Sequence, residues 1–182
     1  MMPLNCHRRR SAAERTALLH HLLLTRHLAE RNVTVPGGLT CRLGEEAVNV
    51  AVSVALGPLD EVVTTPFHPP TGLFAILVSR PAGRSSPEPT RHVSISIERT
   101  SAGDETAREA VNSLDVEDLL SAVQQALGAV RTGDCARAVL VRLDESADPI
   151  DVLVTRMRID HQLDDNALRA IDDDARQLAR AA

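Results

Sequence analysis

Gly37-Gly38-Leu39-Thr40-Cys41-Arg42-Leu43-Gly44-Glu45-Glu46-Ala47-Val48-Asn49-Val50-Ala51-Val52-Ser53-Val54-Ala55-Leu56-Gly57-Pro58-Leu59-Asp60 carries a glycine-lined entry, one short helix, a stop and the approach to a strand. Apolar residues fall at 47, 48, 51, 52, 55 and 56, a helical stripe built almost wholly from Ala and Val. Side chains this small let neighbouring backbones approach closely, so the pattern predicts a buried helix. Glu45 and Glu46 stand in its first turn, where the positive end of the helix dipole favours carboxylates. Gly57-Pro58 ends it, because glycine accepts a left-handed cap and proline cannot continue the helix.

Upstream, Ser11-Ala12-Ala13-Glu14 fits a capping box, and Leu18, Leu19, Leu22, Leu23 and Ala29 give one apolar face. A helix is expected from Ser11 to about Glu30, preceded by a loose tail over residues 1–10. Downstream, residues 60–65 read as a short strand of β-branched residues, broken by Pro66-Phe67-His68-Pro69-Pro70. Residues 71–79 are a brief apolar run compatible with helix or strand, and 80–90 form a Pro/Gly/Ser-rich joint. Strict alternation of Val93, Ile95 and Ile97 with His92, Ser94, Ser96 and Glu98 predicts a strand buried on one side, with His92 on the surface. A polar stretch over 101–112 is expected to hold a short helix from Asp104. Asp115 caps a helix whose Val116, Leu119, Leu120, Val123, Leu127 and Val130 follow the 3.6-residue period. Residues 136–143 read as a strand buried on both faces, as in a parallel sheet. Asp148-Pro149 starts another helix, with Ile150, Leu153, Val154 and Met157 inward, and a last helix runs from about Asp165. The order of elements predicts an α/β fold.

A chain of 182 residues buries roughly 70% of its unfolded surface in one domain. It has no Trp or Tyr and two Phe, Phe67 and Phe74, so its core is expected to consist of Ala, Val, Leu and Ile. Each of these buries less than an aromatic ring, which predicts modest stability or stability shared with a partner. The net charge of −5 gives no general attraction to nucleic acid or anionic membrane. Arg8-Arg9-Arg10 reads as part of a solvated tail. Cys6, Cys41 and Cys135 are odd in number and scattered, which excludes a disulfide framework or paired-cysteine metal motif and suits a reducing compartment. The Leu-rich run at 18–24 holds His20 and His21 and is too short for a membrane span, so a cytoplasmic protein is expected.

The chemistry-bearing residues form no metal cluster, phosphate-binding glycine loop or nucleophile elbow. His20, His21 and His27 lack the i, i+3 or i, i+4 spacing of facing ligands. The pair Glu45/Glu46 reads as a helix N-terminus, and Asp172/Asp173/Asp174 as a solvated helix face. No catalytic residue and no metal ligand is assigned.

Several stretches taken together resemble the alpha subunit of the thiamine-diphosphate-dependent decarboxylating component of 2-oxo acid dehydrogenases. They are Leu43-Gly44-Glu45-Glu46-Ala47-Val48 through Leu56-Gly57-Pro58-Leu59-Asp60, with the leading helix over 18–31 in place; the strand and loop over 93–106; Asp115-Val116-Glu117-Asp118-Leu119-Leu120-Ser121-Ala122-Val123 with Val130-Arg131-Thr132-Gly133; and Asp148-Pro149-Ile150 with Leu163-Asp164-Asp165-Asn166-Ala167-Leu168 and Ile171. The matches are collinear over most of residues 15–180. The resemblance implies a reduced thiamine-diphosphate-binding-type fold, a short, mostly parallel sheet flanked by helices, in one domain over 11–182. It implies thiamine diphosphate and Mg²⁺ as the family's cofactors and a beta-subunit-type protein, or a second copy, as partner. The departures fall on the cofactor site. The family's Gly-Asp-Gly and metal-binding Asn have no counterpart around 80–90, its His-containing loop before the C-terminal helices is missing, and its Tyr-Arg diphosphate contact falls on Pro66 and Phe67 without a gap or on Phe67 and His68 with a one-residue gap, its Arg absent either way. A diphosphate–Mg²⁺ site needs oxygen ligands and a cation clamp, and the family's versions of both are gone. Three functions are compatible with this pattern: a non-catalytic partner-binding or structural subunit, a functional alpha subunit completed by a beta subunit, and an inactive product of gene decay.

Overall fold

The computed structural model describes residues 10–31, 45–58, 60–63, 73–79, 91–99, 111–133, 136–144 and 146–182. Five helices and five strands follow in the order α1 (Ala12–Glu30), α2 (Glu46–Ala55), β1 (Asp60–Val63), β2 (Leu73–Ser79), β3 (Arg91–Arg99), β4 (Val111–Asn112), α3 (Val116–Thr132), β5 (Ala136–Leu143), α4 (Pro149–Ile159) and α5 (Asp165–Ala181).

The strands form one sheet in the order β1-β2-β3-β5-β4. It is mixed rather than mostly parallel. β1 pairs antiparallel with β2 and β2 antiparallel with β3, whereas β3 and β4 both run parallel to β5. The apolar run at 71–79 is therefore a strand. β4 is a two-residue strand in a stretch expected to be polar and helical; the rest of that stretch, 101–110, lies outside the described residues, as do 64–65 and the joint at 80–90.

α3 packs on β2, β3, β4 and β5, α2 packs on α3, and α1 packs on α2, α4 and α5. The inward face of the sheet consists of Ala75, Leu77, Val93, Ile95, Ile97, Val139, Val141 and Leu143. Leu140 is only half-buried, so β5 buries one face and not two. His92 is half-buried, on the side away from α3. Among the described residues the buried apolar side chains are Leu, Val, Ala and Ile with a single Met, Met157.

The caps expected from sequence form. Ser11 and Glu14 complete a capping box, Asp115 accepts from the amides of Glu117 and Asp118, and Asp148 caps α4 ahead of Pro149. α2 is buried nearly all round, with Ala47, Val48, Val50, Ala51, Val52 and Ala55 inside. Its stop differs from expectation. Leu56 closes the helix in an extended conformation, and among the described residues the positive-φ glycine is Gly133, after α3.

Candidate functional site

Among the described residues, polar side chains gather at four joints in and beside the helical layer. The deepest joins α1, α3 and α4. Arg15, 5% exposed, donates from Nε to Glu117 Oε1 at 3.0 Å and from Nη1 to Asp160 Oδ2 at 2.5 Å and Gln162 Oε1 at 3.2 Å. Arg156 reaches the same carboxylate from α4, its Nη1 2.5 Å from Glu117 Oε2 and its Nη2 2.6 Å from Asp115 Oδ2. Burial pushes the Asp115 carboxyl up. The hydrogen bond from Arg156, the Asp118 amide, the Arg156 charge and the Glu117 amide outweigh that and hold it below its ordinary value. Asp115 thus caps α3 and anchors α4 at once.

A second joint links α1, α2 and α4. Arg26 donates from Nε to Glu46 Oε1 at 2.6 Å and grips Asp148 with Nη1 at 2.7 Å and Nη2 at 3.1 Å. Hydrogen bonding to Asp148 leads the causes that raise the Arg26 guanidinium above its ordinary range. Glu46 is fully buried, so it is an ion-pair partner rather than only a dipole-favoured end residue. One turn on, Asn49 donates from Nδ2 to the Glu45 carbonyl at 3.1 Å, and its buried Oδ1 accepts no hydrogen bond.

The third joint closes the turn after α2. Asp60 accepts from the Gly57 amide at 2.7 Å and from Arg131 Nη2, which also donates to the Ala55 carbonyl at 3.3 Å. A Cβ on Gly57 would stand 3.2 Å from both Arg131 Nη2 and Asp60 Oδ2, so a side chain here would push this ion pair aside by a few tenths of an ångström.

The fourth joint binds α5 to α1. His27 Nε2 lies 2.8 Å from Asp172 Oδ1 and His20 Nε2 lies 2.9 Å from Asp174 Oδ2. Asp172 also accepts from Arg176 at 2.7 Å, and Arg31 donates to the Ala179 carbonyl. Asp172 and Asp174 are therefore contact residues of a helix pair, a correction to their reading as a purely solvated face.

Phe67 and His68, the positional counterparts of a diphosphate contact, lie outside the described residues, as do 80–90. Among the described residues no group of three or more His, Cys, Asp or Glu is arranged to hold a metal ion. Glu46, Asp60, Asp115, Glu117, Asp148 and Asp160 are each engaged by an arginine. Among the described residues these carboxylates are therefore committed to ion pairs between elements.

Sequence reasoning passed over Arg15, Arg26 and Arg156. A signal was present: Arg15 and Arg26 continue the α1 stripe of Leu18, Leu19 and Leu22 at helical spacing, and a charge on an apolar stripe calls for a buried partner. Compared with known proteins, the chain matches no family model, no curated protein and no solved structure.

Proposed function

We propose that the chain is a shortened relative of the alpha subunit of thiamine-diphosphate-dependent 2-oxo acid dehydrogenases, acting as a partner-binding subunit without a diphosphate site of its own. One observation carries the reading. Residues within the stretches that give the resemblance, Glu46, Asp60, Asp115, Arg131 and Asp148, cap helices or tie them together. Motif residues kept for packing, alongside a missing Arg and missing Gly-Asp-Gly, suit a scaffold that outlived its cofactor ligands. A fold alone does not assign an activity, so the proposal stands on these residues and not on the α/β architecture.

Calorimetry separates this reading from that of an active subunit. Titrating thiamine diphosphate with Mg²⁺ into the chain, alone and with a beta-type subunit present, is expected to give no binding heat attributable to this chain. Saturable heat that requires both proteins would overturn it in favour of an alpha subunit completed by its partner.

A further inference from the structure

We propose that α5 is a latch on α1 that opens as one unit while the rest of the helical layer stays folded. The argument is one of connectivity. Arg15 ties α1 to both α3 and α4, Arg26 ties α1 to both α2 and α4, Arg156 ties α4 to α3, and Arg131 ties α3 to the end of α2. Helices α1 to α4 are thus cross-linked, each held by at least two others. Among the described residues α5 packs on α1 and is otherwise tied through the exposed Arg158–Asp165 pair at its own start, where it pivots.

The contents of the α1–α5 contact point the same way. Of the α5 side chains only Ala175 and Ala179 are fully buried; Leu168 and Ile171 are partly buried and Leu178 is 47% exposed. Little apolar area therefore holds the helix down, and the contact relies on His20–Asp174, His27–Asp172 and the Arg31 bond to the Ala179 carbonyl. His20, Leu24, His27 and Arg31 lie at i, i+4, i+7 and i+11, one stripe along α1. The pivot is fixed on its α4 side, since Leu163 is buried and Asp164 caps α5. Segments with few buried apolar contacts open below the global unfolding free energy. Opening α5 bares the His20–Arg31 stripe without disturbing the buried arginine joints.

Native-state hydrogen exchange on the full chain tests this. Amides of 165–181 are expected to share one opening event, clearly faster than that of α3 and β3. A His20→Gln/His27→Gln double variant is expected to speed exchange in 165–181 roughly tenfold, the scale of two partly exposed pairs, and to leave α3 and β3 unchanged. Exchange of α5 at the same rate as α3, or an equal acceleration of all segments in the variant, would overturn the latch.

Discussion

His161 is the non-glycine residue with positive φ, 55°, among the described residues. It follows α4, and the bonds around it explain the conformation. Its amide donates to the Arg158 carbonyl at 3.0 Å, and the Gln162 amide donates to the Met157 carbonyl at 2.8 Å. That is the paired 5→2 and 6→1 pattern of a Schellman cap, a position that favours glycine. The same turn presents Asp160 and Gln162 to Arg15, so geometry here serves the deepest joint. His161→Gly is expected to raise unfolding free energy by about 0.5 kcal/mol, relief of the left-handed strain outweighing the added chain entropy. His161→Val is expected to lower it by about 1 kcal/mol. Urea denaturation of the two variants gives both values. At the other pinned turn, Asp60→Ala removes the acceptor of the Gly57 amide and of Arg131, and a loss of about 2 kcal/mol is expected in the same assay.

At the scale of elements, α1 and α4 are held at both ends. Arg15 and Arg26 stand about 16 Å apart along α1, and Asp160 and Asp148 about 18 Å apart along α4, at 1.5 Å rise per residue. The pairs Arg15–Asp160 and Arg26–Asp148 therefore set the two helices antiparallel and fix their register. Each arginine spreads its donors over two carboxylates on different elements, which a lysine ammonium cannot match with the same geometry. Arg15→Lys is expected to cost about 3 kcal/mol, most of what Arg15→Ala costs, because buried Glu117 and half-buried Asp160 lose the fork that joins them. The acids of these joints also set the response to pH. Burial raises the Asp148 carboxyl, but hydrogen bonding and charge from Arg26, with the Ile150 and Asp151 amides, bring it below its ordinary value; Asp115 is lowered likewise. A carboxyl depressed in the folded state adds stability above its unfolded value of about 3.9, and that stability is lost as pH falls through the folded value. Asp115→Asn is therefore expected to be less stable at pH 7 and to show a flatter fall in stability below about pH 4. Thermal melts from pH 7 to pH 2.5 check it; parallel curves for variant and parent would count against this role for Asp115.

At the scale of the molecule, helices were more legible in the sequence than sheet pairing. Asp115, Asp148 and Ser11 announce helix starts through a cap followed at once by periodic apolar residues, and the structure places helices there. Sheet direction depends on connections, which the strand residues themselves do not encode. The links from β1 to β2 and from β2 to β3, residues 64–72 and 80–90, fall below the length of roughly a dozen residues that a parallel crossover takes and join antiparallel neighbours, whereas α3 lies between the parallel pair β3 and β5. Reading β5 as buried on both faces took Leu140 for a core residue, yet among its neighbours only Val139, Val141 and Leu143 meet α3's side. The arginine joints were illegible for another reason. Their acidic partners lie up to 145 residues away, so local pattern shows an inward charge without showing what neutralises it.

These ties account for how a chain almost free of aromatic residues orders its helices, and several of them run through Glu46, Asp60, Asp115, Glu117, Arg131 and Asp148, residues of the stretches that resemble an alpha subunit. The central claim is that this scaffold is kept to hold a partner. The direct test is co-expression with a beta-type subunit of a 2-oxo acid dehydrogenase from the same genome, followed by size-exclusion chromatography with light scattering. The account predicts a stoichiometric complex whose mass contains both chains and which dissociates when Asp115→Ala and Arg15→Ala loosen the joints. Two separately eluting proteins, with this chain stable and monomeric, would contradict it.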